Sequence, residues 1–121
     1  LTFEQCKLDW DSLNEPQHKA WFEHYRHLLM LRREHIVPRL PGMGVGAKFE
    51  LIGMSALVVR WRLGEGAQLT LLANLGDTAV EGIPLFAGKD IYLSQSDLQE
   101  MLASGRIPAW SAAWFIEEAI K

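Results

Sequence analysis

The side chains able to do chemistry crowd into the first third of the chain: Cys6, Asp9, Asp11, Glu15, His18, Glu23, His24, His27 and His35. His24 and His27, three residues apart, would share one helix face and could begin a metal site. A closed site needs three or four ligands, and no Cys, Glu or third His at matching spacing completes the set. Cys6 as a nucleophile would need a base and an orienting partner. Nothing nearby supplies them, so a half-buried structural thiol is expected. Asp9, Asp11, Glu15 and Glu23 are the residue types that work in pairs on glycosidic bonds. They fall on an approach segment and a helix surface, not at strand ends around a cleft, so capping and solvation account for them. Pro41-Gly42-Met43-Gly44-Val45-Gly46 has the glycines of a phosphate cradle but no Lys-Ser/Thr and no following helix. No catalytic, cofactor-binding or metal-binding residue is assigned, and no cofactor is expected.

The five tryptophans carry a second possibility, since sugar-binding modules stack pyranose rings on exposed indoles. Strand alternation places Trp61, Trp110 and Trp114 on inward faces, and Trp21 lies on an apolar helix stripe. Core packing is therefore expected for these four, with Trp10 unassigned.

Composition narrows the partners. The 121 residues carry 12 basic and 15 acidic side chains, a formal net charge of −3, without the basic footprint that nucleic acid demands. Arg26, Arg32, Arg33 and Arg39 gather near a helix end, where cations complement the helix dipole. With 49% hydrophobic residues the chain can bury a core. A single cysteine excludes an internal disulfide and fits a reducing compartment. There is no apolar run long enough for a membrane span and no secretory-type segment, so a cytoplasmic location, without membrane or nucleic-acid partners, is expected.

These side chains must be positioned by one long helix and a set of strands. Residues 1–13 read as an extended approach anchored by Phe3, Leu8, Trp10 and Leu13. Asn14 as N-cap, Glu15, Pro16 and Gln17 form a capping box that starts a helix running to about His35. Its stripe is Trp21, Tyr25, Leu28, Leu29 and Arg32, widened by Leu31 and Ile36. Pro38 is expected to stop it, because a residue preceding proline is pushed out of helical geometry.

Beyond the glycine-rich connector the period changes to two. In 55–63, Leu57, Val59, Trp61 and Leu63 share a face; in 68–75, Leu69, Leu71, Ala73 and Leu75 do. Joining those faces pairs odd-numbered residues. Leu63 opposite Ala67 around Gly64-Glu65-Gly66 satisfies this, and a five-residue loop pairing Leu63 with Leu69 is the alternative. The arginines Arg60 and Arg62 then point outward. Short strands at 79–82 and 90–93, a helical turn at 96–104 capped by Ser94 or Ser96 and closed by Gly105, and a last strand at 110–117 complete the reading. Apolar residues on both faces of that last strand require cover on both sides, the second from the long helix or a neighbouring domain.

Leu8-Asp9-Trp10 followed by His18, Trp21, Tyr25-Arg26, Leu28-Leu29 and Leu31-Arg32-Arg33 resembles the last barrel helix of alpha-amylase-family glycoside hydrolases. Thr2-Phe3-Glu4-Gln5-Cys6-Lys7-Leu8-Asp9-Trp10 and Ile107-Pro108-Ala109-Trp110-Ser111-Ala112-Ala113-Trp114-Phe115 are most similar to the maltooligosyltrehalose trehalohydrolase branch of that family. Branching or debranching enzymes, and an independent carbohydrate-binding module, are the alternatives. The resemblance implies a mainly β fold with an N-terminal α-helix. Residues 1–40 would be an extended segment plus the last barrel-type helix, and 41–121 a small C-terminal antiparallel β-sandwich. It also implies a parent that cleaves trehalose from the end of a maltooligosyltrehalose, using an Asp nucleophile, a Glu acid/base and a second Asp at the mouth of a (β/α)8 barrel. No position here matches those motifs, so the chain by itself is expected to be inert and its partner is the barrel of the same polypeptide. Leu1 in place of Met fits a piece of something larger. The stripe Trp21, Tyr25, Leu28, Leu29 would then lack its barrel, and is expected either to fold back on the sandwich or to self-associate, since a large exposed apolar patch is a liability.

Overall fold

The computed structural model describes residues 2–119. The N-terminal part is mostly helical instead of extended: α1 (Thr2–Cys6), a 3-10 turn (Trp10–Asn14), then α2 (Pro16–Leu31), with 7–9 as a non-helical link. Leu1 of the anticipated approach segment lies outside the described residues. The apolar anchors Phe3, Leu8, Trp10 and Leu13 are all exposed. With nothing to pair with or pack against, this stretch satisfies its backbone locally, through helical turns instead of an extended path.

The expected capping box does not form at α2, and the helix starts one position later than expected. Asn14 closes the 3-10 turn, and Glu15 is the N-cap of α2, with no side-chain cap bond. Pro16 sets this: proline is at home in the first helical turn, and the residue before it must be extended, as Glu15 is at φ −71°, ψ 136°. The side-chain cap in this region belongs to Asp9, whose Oδ1 accepts from the Asp11 N–H at 3.2 Å.

Pro38 does not break the helical path. The chain widens into a π-helical turn over Arg32–Ile36 and continues through a 3-10 turn, Val37–Arg39, with Val37 still helical at φ −54°, ψ −44°. A proline ring in a regular α-helix collides with the carbonyl four residues back. The wider turn, in which the Val37 N–H bonds the Arg32 carbonyl, relieves that crowding. The Arg39 guanidinium then donates to the His35 carbonyl at 2.6 Å and also pairs with Glu118, tying the end of the arm to the end of the last strand.

The rest is two antiparallel sheets with a short helix, a small mainly β domain of the sandwich type that was expected. Five strands, β1 (Ala47–Ile52), β2 (Ala56–Arg62), β3 (Gln68–Asn74), β5 (Lys89–Leu93) and β7 (Ser111–Glu117), form a sheet in the order β1-β2-β3-β7-β5. β4 (Val80–Glu81) pairs with β6 (Arg106–Ile107), and α3 (Leu98–Ala103) precedes β6. The N-cap of α3 is Asp97, without a side-chain bond, and not Ser94 or Ser96. Ser94 instead accepts the Ala112 N–H through its hydroxyl, at 2.9 Å. The β2–β3 register is the first of the two anticipated. The Leu63 N–H donates to the Ala67 carbonyl at 2.8 Å, and Gly66 adopts φ +81°. Gly64 in that turn has no room for a side chain, since a Cβ would stand 1.9 Å from the Pro41 carbonyl oxygen.

The inward face is the opposite of the one expected. Ala56 and Val58 of β2, Leu72 of β3 and Ala113 of β7 form the main core with Val80, Ile83, Leu98, Leu102 and Ile107 from the β4/β6/α3 layer. The face holding Leu57, Val59 and Trp61 is half-open. Apolar residues occupy both faces of β2, so alternation alone cannot choose between them; the covering layer, supplied by residues 80–107, does. Arg60 consequently lies on the core side, over the Phe86 ring at 5.7 Å and 3.7 Å from Glu50, instead of pointing freely outward. A second, smaller cluster on the half-open face joins Leu63, Ala67, Leu69 and Ile116 to Trp61, Trp114, Ile91, Ile36 and Leu40. Through Ile36 and Leu40 the helical arm thus covers the second face of β7, but only at that end.

Candidate interaction surfaces

Among the described residues, no group of three His, Cys, Asp or Glu lies together in a way that could hold a metal ion. His18 is exposed, 3.7 Å from Glu15, and His35 is half-buried, 3.9 Å from Glu34. His24 joins an aromatic cluster instead, its ring 5.9 Å from Trp21, 6.0 Å from Tyr25 and 6.5 Å from Tyr92 of β5. His27 is exposed. Cys6 is exposed on α1, contrary to the half-buried thiol expected, because α1 buries nothing. Glu23 pairs with Arg26 one turn on at 3.9 Å. Asp9 therefore serves a cap and Glu15 and Glu23 serve surface pairs, as the sequence indicated, while Asp11 lies exposed in the first turn of the 3-10 segment.

A hollow of about 230 Å³ lies between the 84–88 segment, β5 and α3, lined by Phe86, Asp90, Leu93, Gln99, Leu102 and Phe115. Asp90 is its only ionisable group. It has no second carboxylate to make the pair that glycosidic hydrolysis uses.

Two surfaces stand out for binding. The first is α2. Trp21, at 58% exposure, Phe22, Tyr25, Leu29 and Met30 are all open to solvent, and α2 contains no buried residue. Leu28 of the same stripe is half-buried, as are Leu31 and Ile36 along one flank of it. The expected folding back of the stripe onto the sheet therefore does not occur. The sheet takes only the end of the arm, and a face flanked by Arg26 and Arg33 remains uncovered. A solvent-exposed aliphatic and aromatic row of this kind marks a contact surface.

The second surface is at one end of the five-stranded sheet. Three turns meet there, carrying Met54, Leu75 and Trp110, and each of these side chains is exposed. The Leu75 N–H donates to the Ser55 carbonyl at 3.1 Å, and the Trp110 N–H to the Gly76 carbonyl at 3.2 Å. Beneath them sits Asn74, fully buried. Its Nδ2 donates to the carbonyls of Thr78 (2.8 Å) and Pro108 (3.1 Å), with Ile107 at 3.4 Å. Its Oδ1 accepts from the Gly76 N–H at 3.0 Å and the Ser55 hydroxyl at 2.7 Å. A buried amide with all its bonding capacity used is rigid, because breaking any one bond strands a polar group away from water.

Trp110 is not the first inward residue of β7. It precedes the strand at φ +51°, in the left-handed region, with its side chain 67% exposed. That conformation costs a bulky residue on the order of 1–3 kcal/mol and persists only where the surroundings enforce it. Sequence reading missed both residues of this site. Asn74 falls on the more polar face of the 68–75 strand and draws no attention, and alternation carried the last strand one residue too far. The available signal was Pro108, two residues before Trp110, which marks a turn at the strand's start.

Residues 46–114, from the end of the glycine-rich connector into β7, match the family described as Domain of unknown function (DUF3459). No curated protein and no solved structure matches the chain.

Proposed function

The chain belongs to the DUF3459 family, the domain that sits at the C-terminus of alpha-amylase-family enzymes, and we propose that it serves as the non-catalytic C-terminal part of such an enzyme, of the maltooligosyltrehalose trehalohydrolase kind. In this reading residues 1–40 supply the last helix of a (β/α)8 barrel and 41–121 the β domain behind it. The observation that carries it is the uncovered face of α2. Trp21, Phe22, Tyr25 and Leu29 form an apolar row upstream of the family domain and stay exposed among the described residues. Helices of a (β/α)8 barrel bury such a row against the barrel strands. The two segments 2–10 and 107–115, through their similarity to trehalohydrolases, support the choice within the family.

The division of labour follows from the chemistry at hand. Retaining glycoside hydrolysis needs two carboxyl groups about 5–5.5 Å apart across a scissile bond. Asp9 serves a cap, Glu15 and Glu23 serve surface pairs, and Asp90 stands without a second carboxylate in the hollow, so the hydrolytic groups would come from the barrel. The β domain would brace the barrel through α2 and the Arg39–Glu118 link. In a cytoplasmic enzyme of this kind the exposed Cys6 would stay reduced.

The test is enzymatic. The polypeptide encoded by the complete reading frame is expected to release trehalose from maltooligosyltrehalose, and the 121-residue chain alone to release none. Release of a branched or debranched glucan instead would move the parent to another branch of the family. A reading frame beginning close to Leu1 would overturn the proposal.

A further inference from the structure

We propose that the Asn74–Trp110 tip is a binding subsite for a neutral oligosaccharide, with the Trp110 indole as the stacking platform for one sugar ring. The choice of an α-glucan as that oligosaccharide rests on the function proposed above; the existence of the subsite does not. Four observations carry it. Trp110 holds a left-handed backbone conformation that Gly or Asn would adopt at little cost, so a large aromatic stands there against local preference. The conformation is enforced by the Trp110–Gly76 hydrogen bond and the buried Asn74 beneath it, which makes the platform rigid before any ligand arrives. The indole makes no ring contact or hydrogen bond with its side chain among the described residues, and is exposed. The same group of turns carries exposed Asp77 and Thr78, whose oxygens can bond sugar hydroxyls, and it contains no Lys or Arg.

The last point excludes anionic ligands such as phosphates and nucleic acids, which need cations. Size argues against a protein partner. Met54, Leu75 and Trp110 together offer on the order of 400 Å² of apolar surface, whereas a stable protein interface takes about 800 Å² from each side. A single pyranose ring, with an apolar C–H face and a rim of hydroxyls, matches an indole flanked by a carboxylate and a hydroxyl.

The experiment titrates the 121-residue chain with maltoheptaose, followed by calorimetry and by tryptophan fluorescence. Saturable binding is expected in the millimolar range or tighter. Trp110→Asn removes the platform and also relieves the backbone, so its melting temperature should hold or rise while its Kd rises at least tenfold. Trp110→Tyr should retain most of the binding, and Trp21→Ala should bind like the parent chain. No saturable binding by the parent chain, or equal binding by Trp110→Asn, overturns the proposal. So does a loss of binding in Trp21→Ala, which would place the sugar on α2. If Trp110→Asn instead alters sedimentation of the chain without any glucan binding, the tip is a protein contact and the proposal fails. None of these results bears on trehalose release by the complete polypeptide, so the two readings stand or fall separately.

Discussion

The helical arm up to Arg39 and the β region after it are built on opposite terms. No element of the arm contains a buried residue, although it carries Phe3, Leu8, Trp10, Trp21, Phe22, Tyr25 and Leu29. The β region has all the buried residues: Leu72, Leu98 and Ile107 are closed to solvent, and Asn74 has every hydrogen bond it needs. The contrast separates two meanings of an apolar residue. In the β region, apolar residues stabilise this chain. In the arm they lie open to solvent among the described residues, and in the function proposed above they would be covered by the barrel.

Four substitutions can break or sharpen that contrast. The largest effect is expected at Leu72, fully buried in the main core, where Leu72→Ala should lose about 4 kcal/mol of stability in urea unfolding. Asn74→Ala strands buried carbonyls of two loops, and about 3 kcal/mol should be lost, seen as a drop in melting temperature together with faster amide exchange near Thr78 and Pro108. Gly64→Ala must push the Pro41 carbonyl away; a loss of about 2 kcal/mol, measured by denaturant midpoint, is expected where arm and sheet meet. The smallest effect belongs to the arm: Trp21→Ala should change the stability of this chain by less than about 0.5 kcal/mol. A cost at Trp21 rivalling that at Leu72 would dissolve the distinction. A cost that emerges only in the complete polypeptide would sharpen it, by showing where the indole is buried.

Much of the β region was legible. Parity required odd residues to face odd residues and left two hairpins, Leu63 opposite Ala67 or opposite Leu69; the structure holds the first. The strands near 80 and 90 and the last strand also lie where turn residues and alternation placed them. β1 was missed, although Lys48-Phe49-Glu50-Leu51 alternates polar and apolar as an edge strand does. The inward face was misread, because β2 is apolar on both sides and the layer that decides between them comes from residues 80–107. In the arm, the path past Pro38 was misread as well. A local rule about proline gave way to a π-helical turn, which no side-chain pattern announces.

Sequence by itself determined the two periodicities and narrowed the hairpin to two registers, since these depend on neighbours close along the chain. Tertiary structure alone decided which face of the sheet is core, that Asn74 ties three turns together, and that Trp110 stands outside the strand. Each of those depends on groups brought together from distant positions: Ser55 with Asn74, Gly76 with Trp110, and residues 80–107 with β2. Propensity and alternation carry no record of such meetings, because their energy exists only once the chain has closed on itself.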